Sequence, residues 1–114
     1  MLKKGDEYLK SIKSLQLKAH VLGEKPGDLP EHGLVEPSQK AVAFTYDAAQ
    51  GKETKDLFCV ESSLCQDVVN RFTHLHQSAD DLVNKVKMQR YCGVHTGCCF
   101  QRCVGLDAAN AIFS

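Results

Sequence analysis

The sequence predicts an all-α fold of about five helices. Three observations predict it. Apolar residues recur at helical spacing through most of the chain, all three prolines fall between Leu22 and Pro37, and no segment alternates apolar and polar residues as a half-buried strand does. With 114 residues, 43% hydrophobic and 25% charged, the chain has the balance of one globular domain with a modest core.

In chain order, Asp6 is the expected N-cap of a first helix whose stripe of Tyr8, Leu9, Ile12 and Leu15 runs to about Leu17. Lys3, Lys4, Lys10, Lys13 and Lys18 make this region basic, and read as a solvated face rather than a phosphate site. Residues 22–37, with Gly23, Pro26, Gly27, Pro30, Gly33 and Pro37, form a loop that cannot hold a long helix. Ser38 is the expected cap of a second helix through Gln50, closed by Gly51, and Lys52 to Asp56 reads as charged loop. A third helix is expected from about Ser62 to Leu75 on the stripe Leu64, Val68, Phe72 and Leu75, with Cys59 and Cys65 as packing residues beside it. Ser78 with Asp81 forms a capping-box signal for a fourth helix carrying Leu82, Val83, Val86 and Tyr91. Gly93 and Gly97 bracket a short joint, Val94-His95-Thr96, before a final helix. That helix is still in stride at Phe113-Ser114, which predicts an incomplete domain.

Charge and hydropathy exclude several classes of partner. Lys plus Arg equals Asp plus Glu, 14 each, so nothing points to nucleic acid. No apolar run approaches the ~18 residues of a membrane span, and the charged N-terminus lacks a signal-peptide core, so the expectation is a cytoplasmic protein with no membrane partner. In that compartment the six cysteines read as thiols, metal ligands or reactive groups rather than disulfides.

The chemistry concentrates between Gly97 and Phe113. Cys99 and Cys103 are four apart, which on a helix places them one above the other on one face, where two thiolates can reach one metal centre. Cys98 lies about 100° away and reads as packing. Cys92 is close enough to the joint to approach the other thiols, and spacing alone does not decide whether it does. A helix through His74 and His76 would turn those rings apart, which argues against a histidine metal pair. Gln101, between the two cysteines, is either a solvent-facing amide or a group that orients a substrate or cofactor. No phosphate-binding glycine loop and no Ser/His/Asp arrangement is visible.

The words His76-Gln77-Ser78-Ala79-Asp80-Asp81-Leu82, Lys85-Val86-Lys87-Met88-Gln89-Arg90 and Cys99-Phe100-Gln101-Arg102-Cys103-Val104-Gly105 resemble the N-terminal part of the 4-hydroxybutyryl-CoA dehydratases. Glu7-Tyr8-Leu9, Gly23-Glu24-Lys25, Thr45-Tyr46 and Ala49-Gln50 extend the resemblance over nearly the whole chain. The related flavin-dependent 4-hydroxyphenylacetate 3-monooxygenases share the architecture but lack the cluster cysteines.

The resemblance implies a fold similar to acyl-CoA dehydrogenases. In it, residues 1–114 form part of a helical N-terminal domain, with the middle β-domain and the C-terminal helical domain absent. It implies a homotetramer that binds FAD and a [4Fe–4S] cluster, converts 4-hydroxybutyryl-CoA to crotonyl-CoA, and isomerises vinylacetyl-CoA. Flavin chemistry would acidify an otherwise inert β-proton, and the cluster would act as a Lewis acid on the departing hydroxyl. Cys99 and Cys103 match two of the cluster's three cysteine ligands, and Gln101 matches a residue near the active site. The remaining cysteine and the histidine ligand, and most FAD contacts, belong to later parts of the family's sequence, so this chain alone is expected to hold neither cofactor and to be inactive. Two other readings are a fragment of a 4-hydroxyphenylacetate 3-monooxygenase-type flavoprotein, and a small stand-alone helical metal or thiol module.

Overall fold

Helix α1 (Gly5–Ser14) starts where the Lys4 N–H donates to the Glu7 carboxylate at 2.7 Å. In this computed structural model, which describes residues 2–97 and 102–113, Lys4 is therefore the N-cap. Asp6, the expected cap, sits in the first turn instead and pairs with Lys10 at 3.6 Å. The helix stops at Ser14 rather than Leu17, because Gln16 turns to a left-handed φ of 46°.

The Pro/Gly stretch crosses as irregular chain. Near its start is a small turn, in which Val21 and Glu24 exchange backbone bonds around Leu22 and Gly23, both at positive φ. Helix α2 (Glu36–Ala48) begins slightly before the expected Ser38. Pro37 falls in its first turn, where a missing N–H costs nothing, and Val35 is the N-cap. Helices α1 and α2 pack at close range. The Gly5 N–H donates to Asp47 Oδ1 at 2.8 Å, and the rings of Tyr8 and Tyr46 stack with centroids 5.2 Å apart.

Gly51 does not close α2 in a left-handed conformation as expected. Thr54 Oγ1 donates back to the Ala48 carbonyl at 2.5 Å, and a Cβ on Gly51 would meet that hydroxyl at 2.4 Å. The charged segment after it is partly helical, as the single turn α3 (Lys55–Phe58).

The fold is mostly helical but not all-α, and the expected helix from Ser62 to Leu75 does not form. In its place, β1 (Cys59–Glu61) pairs antiparallel with β2 (Val68–Asn70), with Cys59 opposite Asn70, Val60 opposite Val69 and Glu61 opposite Val68. The reversal between them is held by Ser62 N–H to the Asp67 carbonyl at 3.0 Å and Gln66 N–H to the Ser62 carbonyl at 2.9 Å. A 3-10 turn over Arg71–Thr73 follows, capped by Asn70 Oδ1, which accepts from the Phe72 N–H at 3.1 Å. The helical stripe was fortuitous. Leu64 is 66% exposed and Val68 38%, so the face they would have made has no core to enter, while β-branched valines favour the strands.

Helix α4 (Ala79–Thr96) is capped as expected, with the Asp81 N–H donating to Ser78 Oγ. It runs straight through the expected joint at Gly93 and ends only at Gly97, whose φ of 66° makes it a left-handed C-cap. Helix α5 (Arg102–Phe113) closes the described chain. The core joins Ala48, Ala49, Phe58, Phe72, Met88, Cys92 and Leu106, and so gathers α2, α3, the 3-10 turn, α4 and α5 around one apolar centre. None of the described helices is long and apolar enough to cross a membrane.

Candidate functional site

Of the three site residues read from the sequence, Cys99 and Gln101 lie outside the described residues, as does Cys98. Cys103 is described in its backbone, as the second residue of α5. The seating of α5 therefore sets where this ligand candidate stands. Leu106, 1% exposed, anchors the helix in the core. Asp107 pairs with Lys85 of α4. Asn110 accepts the His76 N–H at 2.7 Å and donates to the His74 carbonyl at 3.2 Å.

The residues under α5 form a buried polar group that sequence reasoning missed. Arg71, 5% exposed, donates through Nε to the Leu57 carbonyl at 2.9 Å and through Nη2 to the Cys59 and Asp56 carbonyls at 3.2 and 3.4 Å. Its Nη1 lies 3.7 Å from Asp81 Oδ1. The same carboxylate accepts the Gln77 N–H at 2.9 Å and approaches His74 Nε2 to 3.3 Å. That last contact is close enough for electrostatic attraction but too poorly aligned to satisfy the ring. Both nitrogens of His74 and Nε2 of His76 are buried without a hydrogen bond among the described residues. Burial works against ionisation of Asp81, but the Gln77 bond, the attraction of nearby His74 and the Ser78 bond outweigh it and hold its carboxyl below the usual range. Burial, with Lys85 nearby, lowers the His76 imidazole. The residue types alone signalled little here, because Arg71 and Asn110 reach this group largely through bonds to backbone groups more than ten positions away.

The stretch around His74 is not the expected helix. His74 has ψ 135°, and the two rings meet edge to face with centroids 6.4 Å apart. The geometric ground for separating them thus falls. Even so, no group of three or more His, Cys, Asp or Glu side chains among the described residues is placed to hold a metal.

The other thiols are apart from α5 in the sequence and differ in setting. Cys92 is fully buried in the core. Cys59 is half-buried, with Sγ donating to the Ala49 carbonyl at 3.3 Å. Cys65, expected to pack, is exposed on the hairpin reversal. The lysines of α1 are partly engaged, Lys13 with Glu31 at 2.5 Å and Asp28 at 3.5 Å. A cleft of about 650 Å³, lined by Lys13, Leu17, Lys18, Lys25 and Leu29 among others, touches no residue of α4 or α5.

Comparison with known proteins gives a consistent result. Residues 4–114 match the family described as 4-hydroxyphenylacetate 3-hydroxylase N terminal. All 114 residues align at 46% identity with the 4-hydroxybutyryl-CoA dehydratase/vinylacetyl-CoA-Δ-isomerase of Clostridium aminobutyricum, of which they cover 23%. The fold superposes on an oxygen-tolerant archaeal 4-hydroxybutyryl-CoA dehydratase from N. maritimus with a TM-score of 0.88 at 44% identity, over 96% of this chain and 22% of that one. The chain thus spans less than a quarter of the length of these relatives.

Proposed function

The chain belongs to the 4-hydroxyphenylacetate 3-hydroxylase N-terminal family, and within that family we propose that it supplies the helical N-terminal part of an enzyme that dehydrates 4-hydroxybutyryl-CoA to crotonyl-CoA and isomerises vinylacetyl-CoA. The observation that carries this reading is the end-to-end similarity to two dehydratases, in sequence and in fold.

Cys99 and Cys103 are the proposed ligands, within this chain, of a [4Fe–4S] cluster. The donor chemistry fits, since thiolates are the ligands such clusters take, and Cys103 stands in the first turn of a helix anchored in the core. Two thiolates are half of a four-ligand set, so the remaining ligands would come from residues beyond this chain. When bound, the cluster would supply Lewis acidity toward the substrate's hydroxyl group, and FAD the one-electron chemistry that such a dehydration needs. This chain's own part is to hold two thiolates at a fixed spacing and to present the Gln101 amide near the substrate for hydrogen bonding. No residue here is assigned to FAD.

Assembly with further protein, as a homotetramer in the proposed enzyme, is supported by the apolar residues that α4 and α5 leave outward. Val94 is 82% exposed, Ile112 80% and Phe113 68%.

The test is anaerobic purification of the protein expressed in its native gene context, with measurement of iron, flavin and 4-hydroxybutyryl-CoA turnover. The expected result is iron and dehydratase activity, both lost in Cys99→Ala and Cys103→Ala. Hydroxylation of 4-hydroxyphenylacetate by an iron-free flavoprotein would assign the monooxygenase reading instead, which the family's description favours. Iron held by the 114 residues alone would assign the stand-alone metal module.

A further inference from the structure

Asn110 joins α5 to the segment before α4, where among the described residues it is the partner of the His74 carbonyl and the His76 N–H. Residues 74–77 lie between the 3-10 turn and α4 and belong to neither. In an extended chain the carbonyl of one residue and the N–H of the residue two places on open to the same side. Asn110 meets that edge as a paired strand would, with Oδ1 accepting from His76 N–H at 2.7 Å and Nδ2 donating to the His74 carbonyl at 3.2 Å. Its second amide proton bonds the Leu106 carbonyl one turn back, at 2.9 Å, which fixes the side chain to its own helix. All the donors of this amide are in use.

Among the described contacts, three bear on the pose of α5: Leu106 in the core, Asp107 on Lys85, and Asn110 on residues 74–76. The first is non-directional, and the second is an ion pair whose acid is 57% exposed. Of these three, the Asn110 bonds are the directional, part-buried ones, so they set the rotation and axial register of the helix. Cys103 lies seven residues, or two turns, before Asn110 in that register.

We propose that Asn110 is a positioning residue for Cys103, the described one of the two proposed cluster ligands. It acts through α5 to place the Cys103 backbone, and its removal changes the cluster's surroundings without removing a ligand. The inference rests on the cluster reading above.

The test uses Asn110→Leu, similar in size but without polar atoms, and Asn110→Asp, which keeps the acceptor for His76 N–H but turns both donor contacts into carboxylate–carbonyl contacts. In the iron-loaded protein, Asn110→Leu is expected to speed amide hydrogen exchange over 102–113 at least tenfold while α1 and α2 exchange as before. The electron paramagnetic resonance spectrum of the reduced cluster should shift, and the cluster should be lost to a chelator about tenfold faster, with the initial iron content unchanged. Asn110→Asp should fall between Asn110→Leu and the parent. Uniformly faster exchange would make Asn110 a general stabiliser and overturn the proposal. So would faster exchange confined to 102–113 with a parental spectrum and chelator rate, or no change at all. If the parent protein expressed in its native gene context takes up no iron, the cluster reading fails by itself, and exchange over 102–113 alone decides whether the clamp holds the helix.

Discussion

Arg71 and Asp81 face each other at 3.7 Å with side chains only 6% and 15% exposed, so the 3-10 turn and the start of α4 are joined by a charge pair in poor contact with water. The guanidinium also donates to three carbonyls, and the carboxylate accepts the Gln77 N–H next to the helix cap. Removing one partner leaves the other charge buried and uncompensated, which costs more than the pair itself contributes. Asp81→Ala is therefore expected to lower the unfolding free energy by ~3 kcal/mol, measured by denaturant titration at neutral pH. A loss under ~1 kcal/mol, the range of exposed pairs, would show that water reaches the pair.

Two groups in this cluster give stability a dependence on pH. His76 is lowered by burial and by Lys85, so the unfolded chain takes up a proton at higher pH than the folded one. Its contribution is complete above the unfolded imidazole range, near 6.5, and is lost as pH falls from there through the folded value. Asp81 is lowered too, with burial opposing and the Gln77 bond, the attraction of His74 and the Ser78 bond prevailing, so its contribution is lost in a second window below about 3.8. Stability followed from pH 7.5 to pH 3 should show both declines, with His76→Gln flattening the first and Asp81→Asn the second. An unchanged slope between pH 7 and pH 5 in His76→Gln would remove His76 from the account.

Local signals in the sequence were legible and tertiary ones were not. Ser78 announces α4 because a cap bonds within its own turn, and the prolines mark the irregular stretch because they act on their own backbone. The part of the hairpin from Ser62 to Asn70 reads as helix in the sequence because strands of three residues are too short to display alternation, while Leu64, Val68 and Phe72 happen to fall at helical spacing. The His74–Asn110 contact spans 36 positions and pairs an amide with a backbone edge, which leaves no periodic trace. Of the candidate site, the motif and the helix bearing Cys103 were readable, and the buried polar group that seats this helix was not.

Gly5 is required by the approach of α1 to α2. A Cβ there would stand 2.5 Å from Asp47 Oδ2 and 2.8 Å from the Ala43 carbonyl. The carboxylate could rotate only by giving up the Gly5 N–H, and the carbonyl belongs to a helix backbone that cannot yield locally. Alanine's helix propensity returns at most ~1 kcal/mol, against an overpacking cost of about 1–3 kcal/mol. Gly5→Ala is expected to be destabilising by ~1 kcal/mol net, seen as a lower denaturation midpoint with an unchanged m-value. A stabilised Gly5→Ala would mean that the two helices can separate freely.

The described thiols should differ widely in reactivity, because the thiolate is the reacting form and must be reached. Cys65 is exposed on the hairpin reversal and should be alkylated by iodoacetamide at close to the rate of a free peptide thiol. Cys59 is half-buried, and burial pushes its thiol up despite the opposing fields of Lys55 and Arg71. It also donates to Ala49, so it should react several-fold more slowly. Cys92 is 0% exposed within the core and should be labelled only as fast as the protein opens, with a rate that rises with added denaturant. Mass spectrometry of the labelled peptides at pH 8 separates the three. Equal labelling of Cys92 and Cys65 under native conditions would show that the centre formed by Phe58, Met88 and Leu106 does not close around Cys92. Protection of Cys65 that is abolished by a chelator would place an additional metal ligand on the hairpin.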